Sequence, residues 1–243
     1  GALAGGRPAV LCTLLEPEEG LGRRMTVLAS GERAGSLASA LDQDAAAHAA
    51  GLFASAGPRA ANVRMAGAEL LVESFAVPKT LFIVGATDIA AYLCPMAKAL
   101  GLYVVVVDPR AAFAVAARFP GADEVLDEWP EKFFSRRPLG GDSLVVTLSH
   151  DAKFDIPALR SALGSETAYI GALGSRPTHR RRCRILAAEG FTPGDLARIH
   201  SPVGLDLGGR SPEEIAVAII AEIVAVGHGR RGGQLVHGVV RSE

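Results

Sequence analysis

Ala168-Tyr169-Ile170-Gly171-Ala172-Leu173-Gly174-Ser175-Arg176 is the stretch that decides the fold. Ala168 to Ile170 is apolar without alternation, and a glycine-bearing loop, Gly171 to Arg176, follows at once. A strand buried on both faces of a parallel sheet reads that way. The arrangement recurs on either side. Ser149-His150-Asp151 follows the run Ser143 to Leu148, and His200-Ser201-Pro202-Val203-Gly204-Leu205-Asp206 follows Leu196 to Ile199. In open α/β sheets, ligands bind outside the carboxyl ends of such strands. Three polar segments in that position predict one composite site along one edge of one sheet.

Outward from this stretch, strand and helix alternate. Leu81–Val84, Tyr103–Val107, Glu124–Leu126 and Leu144–Leu148 read as strands. Thr87–Leu100 reads as a helix stopped by Gly101, and helices are also predicted over Ala111–Phe119, Ile156–Leu163 and Pro177–Ala188. Pro212–Val226 closes the series, with Ser211 as N-cap and Pro212 at its first position. This alternation demands a parallel sheet with right-handed crossovers. Before Pro78 the pattern differs. Ala9–Leu15, Met25–Ala29 and Ala68–Phe75 read as strands, Gly31–Gly35 as a turn, and Asp42–Ala54 as a helix with Asp42 as N-cap. The Ala-rich stretch near residues 45–61 has ordinary helix composition. The reading is α/β: a Rossmann-like parallel-sheet domain over residues 79–243, preceded by a small α+β domain over residues 1–78.

Composition narrows the function. The chain has 243 residues, with 25 basic and 26 acidic side chains for a net charge of −1, so no global field draws it to nucleic acid or to a membrane. No apolar stretch reaches the roughly 20 residues needed to span a bilayer. Three scattered cysteines, Cys12, Cys94 and Cys183, form no Cys-x-x-Cys pair and suit a reducing cytoplasm. No signal-peptide pattern opens the chain, and a start at Gly1 rather than Met points to processing or truncation. Aromatics are 5%, which speaks against base-stacking platforms.

Gly85-Ala86-Thr87 stands where a dinucleotide fold carries Gly-x-Gly-x-x-Gly. Ala90 serves at the third position, but Thr87 replaces the second glycine, and its side chain takes the space a pyrophosphate needs. Asp108 ends the next strand, where a ribose-binding acid belongs, and Arg110 could meet an anionic group. A lapsed scaffold and an NAD(P)-dependent oxidoreductase both remain open. His150 and Asp151 read equally as an acid/base pair and as a surface His beside an N-cap. Gly171, Gly174, Ser175 and Arg176 form an amide-rich cradle for an oxyanion. Of Arg180, Arg181, Arg182 and Arg184 on the following helix, at least one should turn back toward it. His200, Gly204 and Asp206 mark the third loop. Glu213 and Glu214 are read as acids favouring a helix dipole. Cys183, spaced with Leu186 and Ala187, is read as an inert buried thiol.

With these residues stated, a resemblance is visible. Phe82 to about Ala225 resembles the carboxy-terminal Rossmann domain of the XdhC/CoxI family of accessory proteins for molybdenum enzymes. It does so at Val107-Asp108-Pro109-Arg110, Arg118-Phe119-Pro120-Gly121-Ala122-Asp123, Leu148-Ser149-His150-Asp151, Tyr169 to Arg176, Arg198 to Asp206 and Pro212-Glu213-Glu214-Ile215-Ala216. The resemblance implies a cytoplasmic chaperone that binds molybdenum cofactor (molybdopterin) and assists its sulfuration and insertion. Its partners would be a molybdenum hydroxylase apo-enzyme, a cysteine desulfurase and a second copy of itself. The residues implied to hold the cofactor are Gly85, Asp108, Arg110, His150, Asp151, Gly171, Gly174, Ser175, Arg176, His200, Gly204 and Asp206. The metal brings its own dithiolene ligands, so no protein metal cage is expected. The amino-terminal region departs from the family pattern. Gly22-Arg23-Arg24-Met25 is a shortened Ser-Pro-Arg-type loop, and Gly35 to Asp42 lacks the family's cysteine. A divergent cargo, or an interaction protein with a decayed site, is a further alternative.

Overall fold

A computed structural model describes residues 8–54, 60–75 and 78–234. The chain divides into two compact units, residues 1–77 and 78–243. The first is a five-stranded antiparallel sheet with one helix. Its strands are β1 (Ala9–Glu16), β2 (Arg24–Leu28), β3 (Arg33–Gly35), β4 (Ala60–Met65) and β5 (Ala68–Phe75), in the order β3-β2-β1-β5-β4, with helix α1 over Ser39–Ala54. Val10, Cys12, Leu14, Leu70 and Val72 alternate inward onto Leu41, Ala45 and Ala49 of α1. Part of the expected turn, Arg33–Gly35, is an edge strand paired with β2. Asp42 is not the N-cap: α1 begins at Ser39, and the Asp42 carboxylate accepts from the Leu37 and Ala38 amides and the Ser36 hydroxyl. Residues 55–59 of the Ala-rich stretch lie outside the described residues.

The second unit is α/β. Its strands are β6 (Thr80–Val84), β7 (Tyr103–Val107), β8 (Glu124–Leu126), β9 (Ser143–Thr147), β10 (Tyr169–Ala172) and β11 (Ile199–His200). Its helices are α2 (Asp88–Ala99), α3 (Pro130–Arg136), α4 (Ala152–Leu163), α5 (Arg176–Ala188), α6 (Pro193–Leu196) and α7 (Pro212–Gly227). The strands run parallel in the order β11-β10-β9-β6-β7-β8. Strands of Val, Ile and Leu are buried on both faces. One face packs on α2 and α7 through Leu93, Ala97, Ile219 and Ile223, the other on α3 and α4 through Phe133, Phe154 and Leu159. No described helix is long and apolar enough to cross a membrane.

Three expectations change. Ala111–Phe119 is a turn ending in one 3-10 turn at Ala116–Arg118. The chain is pulled back there by Arg110, which binds Asp108, and by Arg118, whose guanidinium donates to the Phe113 carbonyl. Helix α4 starts earlier than expected, at Ala152, because Asp151 caps it. Gly171 and Ala172 belong to β10 rather than to the loop. A β-carbon at Gly171 would lie 2.6 Å from Val203 and 3.0 Å from the Tyr169 ring, so only glycine lets that strand pack.

Candidate functional site

The chain order reverses between β6 and β9, which pair side by side although β7 and β8 intervene in sequence. Loops diverge at such a switch point and leave a crevice at the carboxyl edge. Gly85 sits there with φ +113°. A β-carbon on it would come 2.9 Å from the Ser149 amide, so its glycine serves the close approach of two loops.

The sequence-predicted residues gather at this edge. The Leu148 amide donates to Val84, the Leu173 amide to Thr147 and the Val203 amide to Ala172, joining the successive loops. Beneath them runs a connection that sequence reasoning only half anticipated. Arg182, 2% exposed, is the arginine that turns back. It donates to the Leu173 carbonyl at 2.6 Å, to the Ser149 carbonyl at 3.4 Å and to the fully buried Asp155 carboxylate. One guanidinium thus staples two rim loops. Burial pushes the Asp155 carboxyl up to about 6 against the opposing pull of Arg182. Among the described residues the buried Thr147 hydroxyl has no hydrogen-bond partner.

The loop above the staple leaves donors unused. Gly174 has φ +139°, and a β-carbon there would meet Arg182 and Thr178 at 3.2–3.3 Å. Ser175 caps α5 by accepting from the Thr178 amide. Among the described residues no acceptor meets the amides of Gly174, Ser175 and Arg176, or those of Ser149 and His150 on the loop after β9. The first turn of α5 carries no acid, and the exposed Arg176 side chain has no partner among the described residues. Unpaired amides, a helix N-terminus and a free guanidinium together suit an oxyanion.

The neighbouring loop of β6 is closed by its own side chains. Thr87 caps α2 by accepting from the Ala90 amide. The Ala86 amide donates to Asp108 at 2.8 Å. Asp108 is fully buried and gripped by Arg110, Nε to Oδ1 at 2.8 Å and Nη2 to Oδ2 at 2.6 Å. Burial alone would raise this carboxyl, but the bonds from Arg110 and the Ala86 and Arg110 amides win and hold it below the ordinary range. Asp108 and Arg110 therefore satisfy each other.

On the third loop, His200 is oriented by Glu222 of α7, a residue that sequence reasoning missed. Glu222 accepts from the Tyr169 hydroxyl at 2.5 Å and the Gly204 amide at 2.8 Å, and lies 3.3 Å from His200 Nδ1. The His200 ring stacks on Tyr169 with centroids 4.9 Å apart. The available signal was a single acid inside the apolar run Ile215–Val226. Gly204 is a packing glycine, since a β-carbon would strike Ala218 at 3.0 Å. Asp206 and Arg210 line a hollow of about 300 Å³ beside Val203 and Leu207. Glu214 accepts from the Arg210 and Ser211 amides and so occupies the α7 N-terminus itself. Asp151 is engaged as a cap by the Lys153 amide, while His150 is exposed at the rim. Cys183 is half-buried rather than fully buried, 3.4 Å from His179 Nε2, and burial raises its thiol. No cluster of three metal-ligating side chains occurs among the described residues.

Residues 81–223 match the family model of the XdhC Rossmann domain. This chain belongs to the XdhC family. It is 33% identical over 144 residues to a probable xanthine dehydrogenase subunit of Bacillus subtilis (strain 168), covering 59% of this chain and 42% of that protein. Over 127 residues it is 28% identical to the molybdenum cofactor insertion chaperone PaoD of Escherichia coli (strain K12), covering 52% of this chain and 39% of the relative. The matches span less than half the length of these curated relatives. A crystal structure described as a xanthine dehydrogenase from Bacillus halodurans shares the fold over 93% of both chains, with TM-score 0.57 and 20% identity.

Proposed function

We propose that this protein binds molybdenum cofactor at the carboxyl edge of its parallel sheet and delivers it to a xanthine dehydrogenase-type apo-enzyme. The observation that carries this reading is the row of unpaired amides at Gly174, Ser175 and Arg176, beside the unpartnered Arg176 side chain. Molybdopterin ends in a phosphate, and these donors fit one. The family membership and the cofactor insertion chaperone among the relatives support the same assignment. His150 and the oriented His200 stand at the same edge to meet other polar groups of the guest. Sulfuration by a cysteine desulfurase would take place on the bound cofactor; Cys12 and Cys94 are buried with their thiols raised to about 11 and about 12, and burial also raises the half-buried Cys183 thiol. Delivery in the cytoplasm and pairing with a second copy complete the reading.

NAD(P) chemistry fits less well. The helix N-terminus it needs is capped by Thr87, and the acid that would take its ribose is sealed by Arg110.

Anaerobic titration with molybdopterin tests the proposal. Arg176→Ala should weaken binding by about 1.5–3 kcal/mol, roughly 10- to 150-fold, the scale of a charge-assisted hydrogen bond. Absence of cofactor binding by the wild-type protein, together with no transfer to the apo-enzyme, would overturn it.

A further inference from the structure

The far end of the same edge carries a feature that the anion cradle does not use. Although aromatic residues make up only 5% of the chain, three of them line up with one arginine in the loops after β7 and β8 and at the start of α4. The Arg110 guanidinium lies 4.3 Å from the Phe113 ring centre and 5.6 Å from that of Phe154. Trp129 packs edge-on against Phe154, centroids 5.3 Å apart at 61°. Phe154 is buried, but Phe113 is 43% and Trp129 50% exposed. Arg110 and Trp129 thus both pack on Phe154, and Phe113 packs on Arg110.

Local structure does not account for the exposed aromatic surface or for the unused arginine donors. Trp129 occupies the N-cap position of α3 and makes no side-chain cap bond, where Ser, Thr, Asp or Asn would serve the helix better. The tryptophan departs from that preference and leaves half of its surface exposed, and such departures concentrate at functional positions. Arg110 is equally specific. Asp108 engages Nε and Nη2 on one side, which fixes the plane of the fork. Nη1 has no partner among the described residues, so it and the second Nη2 hydrogen remain as donors.

We propose that Phe113, Arg110 and Trp129 form a binding platform for a planar nitrogen heterocycle that carries a carbonyl beside a ring nitrogen. The aromatic faces stack on the ring and the free arginine donors bond to its acceptor edge. Arginine reads the adjacent O6 and N7 of guanine in that way. A pterin offers the same acceptor pair at its 4-carbonyl and N5, so a nucleotide and a pterin are the two sources of such a ring. The platform stands on its own observations and does not depend on the anion cradle. Strands β10 and β7 are three strand spacings apart, about 14 Å at roughly 4.8 Å each. A single guest that fills both places must therefore be extended.

Trp129 is the only tryptophan in the chain, so its fluorescence reports this position directly. The full-length protein is titrated separately with guanosine, pterin and ribose 5-phosphate, with calorimetry in parallel. Guanosine or pterin should quench Trp129, and whichever binds names the source of the ring. Phe113→Ala should weaken that binding about 10-fold, the scale of losing one stacking face. Trp129→Leu, followed by calorimetry, should do the same. Arg176→Ala should leave ring binding unchanged, so this test and that of the anion cradle fail separately. No binding of either ring overturns the proposal. So does quenching by ribose 5-phosphate equal to that by the rings, or ring affinity unchanged in both aromatic variants.

Discussion

The loops after β6 and β10 are the same device, a buried parallel strand leading through a glycine into a helix, and they have opposite fates. After β6 the chain satisfies its own donors: Thr87 caps α2, and Asp108 takes the Ala86 amide and is locked by Arg110. After β10 the amides of Gly174, Ser175 and Arg176 have no acceptor among the described residues, and no acid guards the first turn of α5. The ligand position that this fold usually offers is thus filled from within, and the donors are displaced two strands along the edge. A fold fixes where a site can lie, but the side chains decide which of its equivalent loops stays open.

The contrast can be strained at three points. The largest effect is expected at Arg182, the staple beneath the open loop. Arg182→Ala leaves the buried Asp155 carboxylate and the Leu173 and Ser149 carbonyls without their donor. Breaking a buried pair in this way should lower stability by about 3–5 kcal/mol in urea unfolding. A loss below about 1 kcal/mol would mean that the pair does not hold the loops.

Asp155 gives the next effect. Burial raises its folded-state carboxyl to about 6, above the roughly 3.9 of an unfolded chain. The folded chain then binds this proton more tightly than the unfolded one. The stability this adds is fully present below about pH 4 and is lost as pH rises through about 6. Unfolding free energies of wild type and Asp155→Asn, compared from pH 4 to 7, should show their difference falling across that window. A flat difference would contradict the shift.

The smallest effect is at the closed loop. Thr87→Ala removes the α2 cap and should cost about 1 kcal/mol by thermal or urea unfolding. It should leave cofactor affinity untouched, because the capped α2 N-terminus takes no part in holding the phosphate. Weaker cofactor binding in this variant would erase the distinction between the two loops.

Much of this was legible in the sequence. Unalternating runs of Val, Ile and Leu marked the parallel strands β6, β7 and β9, and Ser211-Pro212 marked the start of α7. The loop at Gly174 was visible from its glycines and from the arginines behind it. What stayed hidden depended on contacts distant in sequence. The Arg182 staple joins residues 27 and 33 positions away, and Glu222 reaches 53 positions back to Tyr169. Gly171 looked like a loop residue because its packing partner, Val203, lies on another loop. The helix expected over Ala111–Phe119 failed because Arg110 and Arg118 bind backward in space, which no periodicity records. Trp129 and Phe113 escaped notice because aromatic scarcity over the whole chain conceals their convergence in one place.

The most direct test of the central claim is an amide-resolved NMR titration of the labelled protein with molybdopterin under anaerobic conditions. The Gly174, Ser175 and Arg176 amides should shift on binding, while those of Ala86, Thr87 and Asp88 stay in place. Movement at the α2 loop with none at the α5 loop would contradict it.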